Sequence, residues 1–369
     1  MFLLNINKMN NKLTLTRYLY FADEVALSLL DCLIEQRDLN EALFWVDELY
    51  SSGFVKDIWL LLWKIYFDFY AITNPLFMKK LSKIWKTSKK IEDVLYVVKN
   101  LFYLVPCYQV FLFRIKKFKK PLTVYLPSSL TKKDRILKAI KYRHIGNLRY
   151  LIDGYDFADT DFIKQYFTTQ ENSKFRFFDY PNELQENFIS YYILSHMELG
   201  LTEVIKPKYI GRKLVSREKM ESSNLAKDDV VGYSRYKVLK DKRYFKISNK
   251  IGCFNKNRDD VIVFEKRLLD LNSIYWYYWL YFTQNTPLWS DRIKEYGGTY
   301  NSKNFTVCFP DDDKFENFHE KFDLEPDEQT SECQNKSLIE IPEINISDWI
   351  REKFDVEVDA KCDMVDYKN

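Results

Sequence analysis

The feature that most constrains the fold is the stretch 38–75, because it predicts two helices that are apolar over most of their circumference. Asp38 stands at the N-cap of the first helix, Glu41 occupies the capping-box position, and Gly53 predicts a left-handed helix end. The second helix leaves only a narrow polar strip, formed by Asp57, Lys64 and Asp68. A helix with two apolar sides contacts neighbours on both, so we expect this pair in the middle of a helical layer.

The rest of the chain predicts a mainly α fold. Helical patterns at 22–36, 74–86, 161–169 and 182–199, joined by short connectors, favour an N-terminal helical bundle or α-solenoid-like layer. Beyond Gly200, short strand patterns at 233–247 and 305–309 and helical patterns at 261–281, 286–296 and 314–322 predict a smaller helix-rich α+β module. We therefore expect a flexible leader at 1–16, a helical domain at 17–200, an α+β module at 201–325 and an acidic, mobile tail at 326–369.

One stretch, 94–113, is long and apolar enough to be considered as a membrane span. Lys99 and Gln109 lie inside it, and Pro106 interrupts it. Two buried helices separated at Pro106 are the favoured interpretation, and a membrane location is not expected.

Scarcity of glycine argues against several enzyme classes. The chain has 9 glycines in 369 residues, whereas about 7% is average. Phosphate-binding loops and nucleophile elbows depend on glycine, and neither motif is present. The three histidines and six cysteines are isolated in sequence, which favours reduced thiols and predicts no catalytic residue, metal site or cofactor.

Charge is distributed unevenly along the chain. Residues 311–369 contain 19 acidic and 7 basic side chains, a net charge of −12, so the first 310 residues carry +15 of the total of +3. The basic stretches 114–149 and 206–250 interleave cations with aromatic residues, which is typical of nucleic-acid binding but also of a solvated surface. The candidate nucleic-acid contacts are Lys116, Lys117, Lys119, Lys120, Lys132, Lys133, Arg135, Lys138, Lys141 and Arg143.

Two further motifs have a structural and a functional interpretation. Asp311, Asp312 and Asp313 could bind magnesium, but a turn that caps the following helix is favoured because no phosphate-binding loop accompanies them. The aromatic run at 274–282 could form a partner-binding groove, although buried core is the favoured interpretation.

Several blocks of the sequence resemble an uncharacterised protein family of nucleocytoplasmic large DNA viruses, the mimivirus-like giant viruses. These blocks are EALFWVDELYSSGF, LLWKIYFDFYAITNP, RYFKISNKIGCFN, TPLWSDRIKEYGG and LEPDEQ, within residues 17–335. The resemblance implies a setting in the host cytoplasm, a viral factory or the virion, and it supplies no catalytic residue to transfer to this chain.

These observations predict a non-catalytic helical scaffold with protein partners, acting in viral gene expression (transcription or translation) or assembly. A nucleic-acid-binding protein that uses the two basic stretches is the first alternative. A structural component of the virion is the second. The sequence leaves the partners and the oligomeric state open.

Overall fold

The computed structural model describes residues 14–20, 22–87, 90–115, 129–152, 161–168, 178–196, 277–322 and Arg351. These residues form a mainly helical fold with one two-stranded sheet, which confirms the predicted fold class. The strands predicted at 233–247, most of the helix predicted at 261–281, and the predicted tail apart from Arg351 lie outside the described residues.

The elements are numbered in chain order over the described residues. The helices are α1 Ala22–Glu35, α2 Leu39–Ser51, α3 Val55–Ile65, α4 Phe77–Thr87, α5 Ile91–Tyr103, α6 Gln109–Ile115, α7 Lys132–Lys141, α8 Ile145–Ile152, α9 Asp161–Thr168, α10 Gln185–His196, α11 Trp279–Phe282, α12 Pro287–Glu295 and α13 Asp312–Phe322. A π-helical turn at Tyr66–Tyr70 continues α3, and 3₁₀ turns lie at Asn182–Leu184 and Thr283–Asn285. The strands are β1 Thr299–Asn301 and β2 Thr306–Cys308, paired antiparallel.

The ends of α2 are determined by the residues that the sequence singled out. The Asp38 carboxylate accepts a hydrogen bond from the Asn40 amide at 2.9 Å, which confirms the N-cap. Gly53 has φ +94°, and the amide of Phe54 donates to the Leu49 carbonyl at 3.1 Å, as in a Schellman motif. The predicted capping-box role of Glu41 is wrong, because its carboxylate instead accepts hydrogen bonds from Arg37 and the Trp45 indole.

The apolar stretch 94–113 is divided between two helices. α5 ends at Tyr103 and α6 begins at Gln109, so the predicted break at Pro106 is confirmed. No helix among the described residues is long and apolar enough to cross a membrane. α4 begins at Phe77, whereas the predicted helical pattern began at residue 74. Asn74 does not cap the helix, because its side-chain amide donates to the Thr73 hydroxyl and to the Tyr70 carbonyl.

The helices α1, α2, α3 and α5 pack around a core rich in large aromatic side chains. The fully buried members include Trp45, Trp63 and Trp289. Both apolar sides of α3 are buried, as the sequence predicted, since Ile58, Leu62 and Trp63 are all inaccessible to solvent. The residues of the predicted polar strip differ in their exposure to solvent. Asp57 is exposed, but Lys64 is 3% exposed and Asp68 is fully buried.

Residues 14–20 form a strap, named here for its position between α2 and α12. The Arg17 guanidinium bonds to Glu48 at 2.9 Å and to Asp47 at 2.6 Å, and the Tyr18 amide donates to Glu48 at 2.9 Å. On its other side, the strap carbonyl of Thr16 accepts a hydrogen bond from the Trp289 indole at 3.2 Å.

Part of the strap falls within the predicted flexible leader. Leu15 and Thr16 are fully buried, and the Leu15 carbonyl accepts a hydrogen bond from the Thr286 hydroxyl. The predicted domain boundaries themselves stay a prediction.

The described C-terminal segment, 277–322, follows its sequence signals closely. Gly297 ends α12 with φ +74°. The Asp311 carboxylate accepts a hydrogen bond from the Lys314 amide at 2.7 Å, which confirms the helix-capping interpretation of the aspartate run. In the described part of the aromatic run, Trp279, Tyr281 and Phe282 are buried as predicted, whereas Tyr277 is 77% exposed.

Gly53 joins the helical layer to this segment by close backbone approach. A Cβ atom built on Gly53 would lie 2.7 Å from Cβ of Pro287, at the first turn of α12. The Leu288 amide donates to the Ser52 carbonyl at 3.2 Å beside it. Glycine is therefore needed at position 53 for two reasons, the positive φ and the contact with Pro287.

We predict that Gly53→Ala lowers the free energy of unfolding by about 2–4 kcal/mol, of which about 1 kcal/mol is the positive-φ cost and the rest is overpacking. In a Pro287→Gly background the same substitution should cost only about 1 kcal/mol. Urea unfolding of the four proteins of this double-mutant cycle measures both costs. An equal cost in the two backgrounds would show that the contact with Pro287 has no energetic effect.

Candidate nucleic-acid interface

The ten predicted contact residues divide into two groups in the structure. Lys116, Lys117, Lys119 and Lys120 lie outside the described residues. The other six lie on α7 and in the turn that follows it. We refer to residues 131–152, which comprise α7, the turn and α8, as the basic hairpin.

Local sequence signals form α7. The Thr131 hydroxyl accepts a hydrogen bond from the Asp134 amide at 3.1 Å, so Thr131 caps the helix. Ile136, Ala139 and Ile140 form its buried face. Because these apolar residues share one side, the cations between them are directed toward the other.

The cations of the basic hairpin are exposed to different degrees. Lys132, Lys133, Lys141 and Arg143 are exposed, whereas Arg135 and Lys138 are partly buried. The Arg135 guanidinium donates to the Leu130 carbonyl at 2.9 Å and so serves the start of its own helix. The ammonium groups of Lys133 and Lys141 lie 5.4 Å from the Phe162 ring and 5.9 Å from the Tyr142 ring. The exposed cations can contact phosphates, whereas the Arg135 guanidinium already forms a hydrogen bond within the protein.

One basic residue of the hairpin has a different role from its neighbours. Arg149 is 5% exposed, and its guanidinium donates to the Arg114 carbonyl at 3.0 and 2.5 Å. The same guanidinium lies 3.5 Å from the Glu186 carboxylate on α10. Arg149 therefore attaches α8 to α6 and α10, and it is not available to an external ligand.

Arg149 borders a buried charge cluster centred on Asp68, in the π-helical turn. The Asp68 carboxylate accepts hydrogen bonds from the Arg114 guanidinium at 2.6 Å and from the Asn187 amide at 3.0 Å. Lys64, one turn earlier, adds a second positive charge. π-Helical turns are frequent at functional sites, but this carboxylate is inaccessible to solvent. Its visible role is to join the π-helical turn to α6 and α10.

Burial dominates the electrostatics of Asp68. Loss of hydration raises the pKa of its carboxyl above the ordinary value of 3.8, although Arg114, Lys64 and the Asn187 hydrogen bond act in the opposite direction. The carboxyl of Glu48 beneath the strap behaves in the same way, because burial raises its pKa despite the Arg17 ion pair. Each carboxyl group accepts hydrogen bonds from residues that belong to other elements of the fold.

The three described cysteines differ in their exposure to solvent. Cys32 and Cys107 are buried free thiols and Cys308 is an exposed one. Burial raises the pKa of the Cys32 thiol to about 12, which makes it a poor nucleophile. Within the described ranges, no three His, Cys, Asp or Glu side chains are grouped so that they could hold a metal ion.

Comparisons with known proteins found no family model, no curated protein and no solved structure that matches this chain.

We predict a pH-dependent difference in stability between the parent protein and Asp68→Asn. Since folding raises the pKa of Asp68, the stability that this carboxyl contributes is complete below 3.8 and is lost as the pH rises through the folded-state pKa. The parent should therefore lose stability relative to Asp68→Asn as the pH increases from 3.8 through the raised, folded-state pKa. Urea unfolding at several pH values measures the difference; a gap that stays constant over this range would contradict the raised pKa.

Proposed function

We propose that this protein is a non-catalytic helical scaffold of a large DNA virus that binds protein partners during viral gene expression or assembly. The observation that carries the proposal is a pair of exposed apolar side chains, Leu76 just before α4 and Tyr103 at the end of α5. Leu76 is 72% exposed and Tyr103 is 46% exposed. The hydrogen bond from Thr73 to the Val105 carbonyl brings the two segments together, and exposed apolar side chains gathered in one region mark sites of protein–protein contact.

The region here called the end patch comprises the exposed Leu76 and Tyr103 and the half-buried Leu104 and Val105. The Thr73 hydroxyl donates to the Val105 carbonyl at 2.9 Å, which holds the start of α4 beside the end of α5. The Gln36 amide donates to the carbonyls of Phe102 and Leu104 at 2.9 and 3.1 Å. The backbone beneath the patch is therefore fixed, and a rigid apolar surface loses little conformational entropy when a partner binds.

The buried ionised groups also support a role in binding rather than chemistry. Arg17, Asp68 and Arg114 each form a hydrogen bond or ion pair that joins separate elements of the described structure. Side chains used in this way specify which elements of the fold lie together. A scaffold needs such an arrangement so that its surfaces keep a constant relative position.

Purification of the full chain from infected cells, followed by mass spectrometry, tests the proposal. We expect stable co-purifying proteins with the parent, and their loss with Leu76→Ser/Tyr103→Ser, because the end patch then becomes polar. The matched control is Tyr277→Ser, which removes an apolar ring that is 77% exposed elsewhere on the surface. Partners that survive the patch substitutions would contradict the role of the end patch, and a protein that purifies alone and turns over a substrate would contradict the scaffold itself.

Nucleic-acid binding is a second candidate, and the exposed cations of the basic hairpin favour it. Residues 131–152 contain seven basic side chains and one acidic one, Asp134. The buried face of α7 is apolar and packs on the protein, so the charge excess lies on the outside. Such a surface attracts phosphates through release of counterions.

We predict that the parent binds nucleic acid with an affinity that falls steeply with salt, and that Lys138→Gln/Lys141→Gln makes the salt dependence shallower by up to about two units in log–log slope. The control Lys79→Gln/Lys83→Gln removes two exposed charges from α4 and should leave the slope unchanged. Fluorescence anisotropy at about 50 to 200 mM salt measures this. Absent binding, or binding that does not respond to salt, would dispose of this candidate.

A further inference from the structure

The turn between α7 and α8 contains an arginine where helix ends favour glycine. The Arg143 amide donates to the Ile140 carbonyl at 3.0 Å, and the His144 amide donates to the Ala139 carbonyl at 2.9 Å. These two bonds form a Schellman motif, and Arg143 occupies its left-handed position with φ +56°. A side chain with a Cβ atom is disfavoured in this conformation, so arginine lowers the stability of the turn relative to glycine.

The other helix ends of this type show how unusual Arg143 is. Gly53 and Gly297 occupy the same position after α2 and α12, with φ +94° and +74°. Gln36 occupies it after α1 with φ +49°, but its side-chain amide holds the end of α5. Arg143 is exposed, and its guanidinium forms no hydrogen bond or ion pair with the described residues. No contact within the described structure compensates for the backbone cost, which points to a ligand outside it.

Two exposed rings flank Arg143. Tyr142 is 56% exposed and His144 is exposed, and their ring centroids lie 6.3 Å apart with an interplanar angle of 37°. Tyr150, which is 39% exposed, follows on α8 six residues after His144. At a rise of about 1.5 Å per residue it lies about 9 Å farther along the helix. The turn thus presents ring faces beside the cations Lys141 and Arg143.

Resting on the second candidate function, we propose that the turn Tyr142–Arg143–His144 is a stacking platform for single-stranded nucleic acid. Unpaired bases stack on exposed aromatic rings, and cations at the same place hold the adjacent phosphates. In a duplex the base faces are covered, so the rings have no surface to contact. α8 is also poorly suited to reading a groove, because its only arginine, Arg149, is buried and bonded to the core.

The experiment measures binding of the full chain to a labelled oligodeoxythymidine of about 20 nucleotides and to a duplex of the same length. We expect Tyr142→Ala to weaken single-strand binding about ten-fold and duplex binding less than about two-fold. Tyr142→Phe should bind like the parent, because it retains the ring. The control Tyr277→Ala removes a ring that is 77% exposed elsewhere on the surface and should have no effect.

Arg143→Gly separates folding from binding. Because glycine fits the left-handed position, this variant should unfold at or above the temperature of the parent, yet bind the single strand several-fold more weakly. Parent-like single-strand binding by both Tyr142→Ala and Arg143→Gly would overturn the platform. If the platform variants bind normally while Lys138→Gln/Lys141→Gln binds poorly, the result supports nucleic-acid binding and contradicts the stacking platform. A parent that binds neither oligonucleotide overturns both.

Discussion

The contact between Asp68 and Arg114 is the constraint on which much of the described structure depends. The carboxylate is fully buried, and its partners come from α6 and α10. Removing a carboxylate from water costs several kcal/mol, and the hydrogen bonds from Arg114 and Asn187 offset only part of that cost, since burial still raises the pKa of the carboxyl. α6 and α10 therefore have to be in place for the π-helical turn to be stable. Asp68 thereby selects one arrangement of helices over other equally apolar ones.

The basic hairpin is attached to the same cluster. Arg149 on α8 donates to the carbonyl of Arg114, the residue that pairs with Asp68. The buried face of the hairpin is thus held by charge and apolar packing together, and its exposed cations remain on the opposite side. The strap provides a similar connection, since Arg17 pairs with Glu48 on α2 and the Thr16 carbonyl accepts a hydrogen bond from the Trp289 indole on α12. Buried charges fix the arrangement of elements, while exposed ones are available for binding.

Local signals predicted much of the fold. Asp38, Gly53 and Pro106 each act on the backbone of their own or adjacent residues, so their effects could be read directly from the sequence. Apolar spacing likewise predicted the two buried sides of α3. These features are local, and local physics is sufficient to predict them.

The buried charge cluster could not be predicted in this way. Asp68 and Lys64 read as a narrow polar strip because their partners are remote: Arg114 and Asn187 lie 46 and 119 residues from Asp68. The candidate site was predicted only in part. Net charge located the cations of α7, but the burial of Arg149 depends on α6 and α10, and the left-handed backbone of Arg143 has no residue signal because glycine is absent there.

The central structural claim is that the buried charge cluster holds the basic hairpin rigidly on the core. Native-state hydrogen exchange of the full chain tests it most directly, through the opening free energies of the α8 amides from Leu148 to Ile152. The account predicts that these amides exchange only with global unfolding, at the same free energy as those of α3 and α10. Exchange of α8 through a separate opening of much lower free energy, with α3 and α10 still protected, would contradict it.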